Sequence, residues 1–203
     1  MGGTITCTRG NWSGHIQDQG SERLGRWSFQ TFEGKDGKQV TVINTYRVCK
    51  SKNDSGSCTI RSQQAKDLLV DTEEHLDPRE EILKDLQKEI NRLHEKGHMI
   101  ILYGDMNEDI QQSTRISKFL RESNMKNILT QKHEGQLPRT HDRGQWCLDL
   151  LAVSNAMDSN AVRKCGYLPF YEGIATDHRA VYLDIDTKYL FTNAGIDTNK
   201  HVY

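Results

Sequence analysis

The residues best able to do chemistry in this 203-residue sequence are two acids, an amide and an Asp-His pair. In Ile101-Leu102-Tyr103-Gly104-Asp105-Met106-Asn107 an apolar run meets a glycine, and two polar side chains follow. The run reads as a buried strand. Gly104 lets the chain turn tightly, so Asp105 and Asn107 emerge together at the strand's C-terminal end, where a rigid core can hold reacting groups. A carboxylate there can hold a water for attack, and a carboxamide two residues on can donate to a phosphoryl oxygen. A Gly-Asp turn with the Asn in a left-handed conformation accounts for the same residues without any chemistry. Asp149 sits within Cys147-Leu148-Asp149-Leu150-Leu151-Ala152-Val153, and an acid inside an apolar strand is costly to bury unless something pairs with it. Asp177-His178, just before the last predicted strand, offers that partner. Asp177 could bind a metal through its carboxylate and His178 a phosphate oxygen through its imidazole. Asp149 would then fix the tautomer of His178 and favour its charged form. Read singly, Asp149 can equally be a strand-edge residue facing water, and His178 a capping histidine.

The elements that must position these groups follow from periodicity. Thr4–Thr8 is β-branched and predicts a short strand. Arg26–Phe32 places Trp27, Phe29 and Thr31 on one face, Gly34–Lys38 is a hairpin turn, and Gln39–Tyr46 is the returning strand. A polar loop, Lys50–Cys58, leads to a helix over Arg61–His75. Asp77 then reads as an N-cap, Pro78 as the first helical residue and Glu80 as a capping-box partner. Ile82, Leu83, Leu86, Ile90 and Leu93 recur at three- and four-residue steps until Gly97, so one face of this second helix packs inward. His98–Tyr103 predicts a strand buried on both faces. A shorter helix spans Ser113–Glu122, and further strands span Trp146–Ser154 and Arg179–Ile185. The order predicts a layered α/β or α+β domain over residues 1–187. The tail, 188–203, is expected to be loosely ordered.

Composition narrows the class. Apolar residues make up 35% of the chain, so the core is expected to be thin or incomplete. A net charge of −1 excludes a strongly basic, nucleic-acid-coating protein. Residues 1–52 nevertheless carry eight basic and four acidic side chains, a bias that could line a phosphate-binding face or be ordinary solvated surface. Five cysteines without a C-x-x-C pair disfavour a zinc ribbon or disulfide framework and fit a reducing compartment. With no apolar signal core and no run of membrane-spanning length, the expectation is a soluble intracellular protein, nuclear or cytoplasmic, with no membrane partner.

Gly-Asp-x-Asn at a strand end, Asp149 in a later strand and Asp177-His178 before the last strand, in that order, resemble the endonuclease/exonuclease/phosphatase superfamily. This includes apurinic endonucleases, deoxyribonuclease-like enzymes and retroelement endonucleases. Gly2-Gly3-Thr4 resembles the family's Gly-Gly strand start, and Thr45-Tyr46 the site of its phosphate-contacting tyrosine, although an Asn that many relatives carry shortly after is absent. Arg47-Val48-Cys49 and Gly166-Tyr167-Leu168-Pro169-Phe170 resemble the retroelement-associated branch.

The resemblance implies an α/β fold: a two-sheet β-sandwich flanked by helices, the four-layer αββα arrangement of the deoxyribonuclease I type. It implies Mg²⁺ or Mn²⁺ as cofactor and DNA as partner. Asp105 would activate water, Asn107 orient it or the phosphate, Asp177 bind the metal and His178 stabilise the charged phosphorane. Asp149 would orient His178, and Tyr46 would contact a phosphate oxygen. Arg47, His141 and Arg143 are candidate substrate contacts. The family normally opens with a strand bearing an Asn, a helix, and a strand ending in a metal-binding Glu. This sequence opens where the next strand should start, so weak or lost activity and exposed sheet edges are expected, and Glu22 offers no substitute.

Overall fold

A computed structural model describes residues 4–50, 59–172 and 176–191. β1 (Ile16–Ser21) pairs antiparallel with β2 (Trp27–Glu33), and β2 with β3 (Gln39–Tyr46). The β2–β3 turn falls where expected, closed by Gly34 N donating to Lys38 O at 2.7 Å, with Asp36 and Gly37 taking positive φ of 58° and 73°. Residues 4–8 form no strand. They lie along the sheet instead, with Asn44 Nδ2 donating to the Ile5 carbonyl and Thr6 Oγ1 2.9 Å from Ser28 Oγ. β1 was not expected, because its sequence IQDQGS shows no apolar alternation and its side chains after Ile16 are exposed. An edge strand needs only a neighbour's backbone, which leaves no mark in hydropathy.

Two helices, α1 (Ile60–Thr72) and α2 (Pro78–Glu95), carry the chain from β3 to β4 (Met99–Asp105), and a connection of this length lets β3 and β4 lie parallel. α1 ends at Thr72, three residues short of the expected His75, because the next residue, Glu73, takes a left-handed φ of 58°. In α2 the Asp77 side chain accepts from Arg79 N at 3.0 Å, and Pro78 opens the helix. The expected capping box is replaced: the Glu80 carboxylate reaches Arg115 at 3.3 Å and Arg47 at 3.8 Å. Ile82, Leu83, Leu86, Ile90 and Leu93 are all buried as the periodicity required. Each such side chain is worth about 1.5–3 kcal/mol of burial.

The chain continues through α3 (Thr114–Glu122), β5 (Met125–Asn127), α4 (Ile128–Lys132), β6 (Asp149–Ser154), α5 (Asn155–Asn160), β7 (Val162–Tyr167), β8 (Val181–Ile185) and α6 (Thr187–Leu190). The main sheet is six-stranded and mixed, in the order β1-β2-β3-β4-β6-β5, and β7 and β8 form a separate two-stranded sheet. Paired residues share a face. Ile43, Leu102 and Ala152 therefore face one way and are fully buried, on the side where α2 packs. Val42, Ile101, Tyr103 and Leu151 face the other way, toward Val181, Leu183 and Ile185 of β8 across a cavity of about 220 Å³. Among the described residues, the expected four-layer sandwich is thus met in part: a helix-backed sheet of six strands, faced by a hairpin of two.

Two boundaries move. β6 begins at Asp149 rather than Trp146, because the Cys147 and Leu148 carbonyls accept from Ile110 N and Met106 N instead of pairing in the sheet. Asp149 is therefore the strand's first residue and not its middle. At the other end, Leu190 and Phe191 are buried, and Trp12 packs edge-on against Phe191 at 4.8 Å, so core packing runs past residue 187. Residues 192–203 of the tail, 51–58 of the polar loop and the Gly2-Gly3 start lie outside the described residues.

Candidate active site

Strand register assembles the first part of the site. Tyr46 pairs with Asp105 across β3 and β4, and Asp105 pairs with Asp149 across β4 and β6. Three polar side chains from three neighbouring strands therefore stand in one row, on one face, at one end of the sheet. Gly104 makes the approach possible: its φ is 153°, and a Cβ there would lie 1.8 Å from the Thr45 carbonyl oxygen. Only glycine fits.

The following loop wraps back onto Asp105. Asn107 takes a left-handed φ of 47°, its N–H donates to Asp105 Oδ1 at 2.8 Å, and its Nδ2 donates to Asp105 Oδ2 at 2.9 Å and to the Arg47 carbonyl at 2.8 Å. The Cys49 thiol donates to Asn107 Oδ1 at 3.0 Å. The left-handed turn expected at Asn107 is present, and its amide is committed to holding Asp105 in place.

His178 arrives from the chain's far end. Its Nδ1 donates to Asp149 Oδ2 at 2.9 Å, the pairing that the buried acid required. Asp149 is held in turn, since Thr140 Oγ1 accepts from Leu148 N and Asp149 N, and Tyr167 OH donates to the Asp149 carbonyl. The segment around Thr140 is zipped to that around His178 by an isolated His141–His178 bridge, by Arg179 N donating to Thr140 O and by Asp142 N donating to Asp177 O.

The electrostatics follow from these contacts. Burial pushes the Asp105 carboxyl up to about 6, opposed by the Asn107 N–H and reinforced by the nearby Asp149 charge. The hydrogen bond to Asp149 pushes His178 up to about 9 against the opposing effect of burial, with the Asp149, Asp105 and Asp177 charges adding to it. Burial, then the Cys49 thiol, pushes the Tyr46 hydroxyl up to about 12. Near neutral pH the site therefore holds an anionic Asp105, a cationic His178 and a protonated Tyr46.

The remaining candidates divide. Arg47 is a correction: its side chain has no exposed surface. Its guanidinium bonds Glu108, the Arg79 carbonyl and the Met106 carbonyl, so it anchors the Asn107 loop from behind and does not reach out to a substrate. Arg79 shares Glu108 at 3.1 Å and donates to the Asn107 carbonyl at 3.2 Å. Arg26 is likewise buried, bonded to Glu22 and Asp85, and Arg23 pairs with Asp71. Arg26 and Arg47 thus withdraw two of the segment's basic charges from the surface, while Arg9, Arg23, Lys35 and Lys50 stay exposed. Arg143 is open to solvent at the rim. His141 faces the site, with its ring 5.1 Å from that of His178 and its Nε2 3.4 Å from Asp177 Oδ2.

Sequence reasoning missed Cys49, Glu108, Thr140 and Asp142. Each acts on a partner brought together by the fold, and only Asp142, adjacent to His141, carried a local signal. For a divalent cation, the donors that converge among the described residues are His141, Asp142 and Asp177, whose ligand atoms lie within 4.8 Å of one another. One imidazole and two carboxylates suit a divalent ion.

No protein-family model matches the chain, and no curated protein matches it in sequence. Solved structures do match part of the fold, and the likeness is to proteins of the endonuclease/exonuclease/phosphatase kind, at low identity. The AP endonuclease LMAP from Leishmania major superposes with a TM-score of 0.55 at 16% identity, covering 78% of this chain and 54% of that one. The 3′ phosphatase NExo from Neisseria, bound to a product DNA hairpin, gives 0.55 at 17% identity over 84% and 71%. The mannosyl-6-phosphatase Bt3783 from Bacteroides thetaiotaomicron gives 0.52 at 18% over 79% and 56%. The chain spans a little over half the length of the AP endonuclease and of the mannosyl-6-phosphatase. No described helix is long and apolar enough to cross a membrane.

Proposed function

We propose that this chain carries a divalent-cation-dependent phosphodiester hydrolase site of the endonuclease type, acting on DNA. The observation that carries the reading is the row Tyr46–Asp105–Asp149 with His178 bonded to Asp149. Asp105, held by Asn107, takes the proton of the attacking water, and its raised proton affinity suits a base working near neutrality. His178, kept cationic by Asp149, sets its Nε2–H against a non-bridging phosphoryl oxygen as negative charge builds there. Tyr46 remains a hydroxyl donor over the same pH range. His141, Asp142 and Asp177 are the residues that would hold the cation, which when bound neutralises phosphate charge. The likeness to a DNA-bound 3′ phosphatase supports DNA as substrate, and the Gly166–Phe170 motif supports the retroelement-associated branch.

A second reading, the same chemistry on a sugar phosphate or phospholipid, draws on the likeness to a mannosyl-6-phosphatase, since a fold does not set its substrate. Nicking of supercoiled DNA with Mg²⁺ or Mn²⁺ is the test. Nicking that is lost in Asp105→Ala and His178→Ala supports the DNA reading. Turnover of phosphate esters without nicking moves the assignment to the second, and no turnover on any of them makes the chain a non-catalytic relative.

A further inference from the structure

Among the described residues four large apolar side chains stand exposed, and the two aromatic ones are Trp146, 56% exposed, and Tyr171, 65% exposed. A single apolar side chain on a surface calls for no explanation. These two, however, lie on the two segments that close around His178. Trp146 ends the loop that begins at Thr140, whose N–H donates to the Trp146 carbonyl at 3.1 Å. Tyr171 stands on the segment between β7 and His178, and its hydroxyl donates to Asp142 Oδ2 of that same loop at 2.7 Å. Its φ of 64° is left-handed, a conformation that bulky side chains rarely adopt, so the backbone bears strain to place an exposed ring there.

Positive charge is interleaved with these rings. The Arg139 and Arg179 guanidiniums lie 5.4 and 4.4 Å from the centre of the Phe170 ring, within cation–π reach. Both are fixed by the backbone: Arg139 Nη1 donates to the Asp142 carbonyl at 3.0 Å, and Arg179 Nε donates to the Arg139 carbonyl at 3.0 Å. Among the described residues neither forms an ion pair with a carboxylate, so their charge is not cancelled locally. Arg143 adds a third guanidinium, 87% exposed and 3.9 Å from Asp142 Oδ1.

Exposed rings among arginines suit one kind of ligand. Every nucleobase has a face that stacks on an aromatic ring, while guanidiniums meet the phosphates of the strand. Bases inside a duplex already stack on one another and offer no free face. We infer that Trp146 and Tyr171, with Arg139, Arg143 and Arg179, form a base-stacking rim, and that the substrate is DNA whose bases beside the cleaved bond are unpaired. The inference rests on the proposed nuclease reading for its chemistry and names the substrate class; binding by the rim is measurable with no turnover at all.

The experiment is a tryptophan-fluorescence titration of the full chain in EDTA, so that nothing is cleaved. The probes are single-stranded oligo-dT, its duplex with oligo-dA, and an abasic deoxyribose-phosphate oligomer of the same length. Oligo-dT is expected to quench the fluorescence and to bind at least about 10-fold more tightly than either of the others. Trp27 is buried and Trp12 packs on Phe191, so the quenching should disappear in Trp146→Phe while affinity is largely kept. Trp146→Ala and Tyr171→Ala should each weaken oligo-dT about 5–100-fold, the worth of one base–aromatic stack. Tyr171→Phe, which keeps the ring and loses only the bond to Asp142, should bind as the native chain does. Equal binding of the duplex or of the abasic oligomer, unchanged affinity in both alanine variants, or no binding of oligo-dT overturns the proposal. If oligo-dT binds through the rim but no phosphodiester is cleaved with Mg²⁺ or Mn²⁺, the rim stands and the hydrolase reading falls. Nicking of duplex DNA untouched by either alanine variant sinks the rim alone.

Discussion

Asp149→Asn removes one charge and almost no volume, and it isolates what the buried pair does. In the folded chain His178 is pushed from 6.5 up to about 9, first by its hydrogen bond to Asp149 and against the opposing effect of burial. At about 1.36 kcal/mol per pKa unit, that difference amounts to roughly 3 kcal/mol. The imidazole is 26% exposed, so screening by solvent brings the usable coupling to about 1–3 kcal/mol. The sign is set by the direction of the shift. Protonated His178 is favoured in the folded state, so this stabilisation is complete below about 6.5 and disappears as pH rises through about 9. With Asn at 149 the largest contribution is gone and burial still disfavours the imidazolium, opposed only by the Asp105 and Asp177 charges, so His178 should titrate well below 9. The assay is a proton NMR titration of the His178 ring, paired with urea melts at pH 6 and pH 10. In the native chain stability should fall across that interval by about 1–3 kcal/mol, and in Asp149→Asn this dependence should vanish. A His178 that still titrates near 9 in Asp149→Asn would refute the reasoning, because the shift would then have another source.

Activity should follow a bell in pH, rising as Asp105 loses its proton near 6 and falling as His178 loses its own near 9, and pH–rate profiles check both limbs. Glu108→Ala should cost about 3–5 kcal/mol in a denaturant melt, because Arg47 and Arg79 would be left buried without their shared carboxylate. Burial opposes ionisation of Glu108, yet its bond to Arg47 prevails and holds the carboxyl down at about 2. Its stabilisation should therefore be intact above about 4.5 and be lost only as pH falls toward 2, which acid titration of the melt will show. Gly104→Ala places a Cβ 1.8 Å from the Thr45 carbonyl and should destabilise the chain by more than about 3 kcal/mol, or prevent folding, as read by thermal melts.

Much of the scaffold was legible in the residues because its signals are local. The spacing from Ile82 to Leu93, the Asp77-Pro78 start and the Gly97 stop define α2 with no reference to anything else, and the alternation of Gln39–Tyr46 defines β3 to the residue. Gly104 was read as a tight turn after the strand, but it lies within β4, paired with Thr45 and Leu150, where the close approach of the Thr45 carbonyl requires glycine. β1 was invisible, being a polar edge strand whose pairing leaves no mark in hydropathy, and Thr4–Thr8 was misread because β-branched residues mark a strand only where a neighbouring strand exists to pair with. The burial of Leu190 and Phe191 could not be seen either, since their partner Trp12 lies at the opposite end of the chain.

By itself the sequence determined which side chains could do chemistry and in what order they come: Asp105 with Asn107, then Asp149, then Asp177 with His178. The tertiary structure alone decided which of them meet. Tyr46, Asp105 and Asp149 form a row because a parallel and an antiparallel pairing happen to share one register, and a one-residue slip in either would turn a side chain to the other face. The same distances in space turned Arg47 from a substrate contact into a buried anchor and gave Asp177 the partners His141 and Asp142. Charge and polarity are properties of a residue, but burial, pairing and proton affinity belong to its neighbours, and those are chosen by the fold.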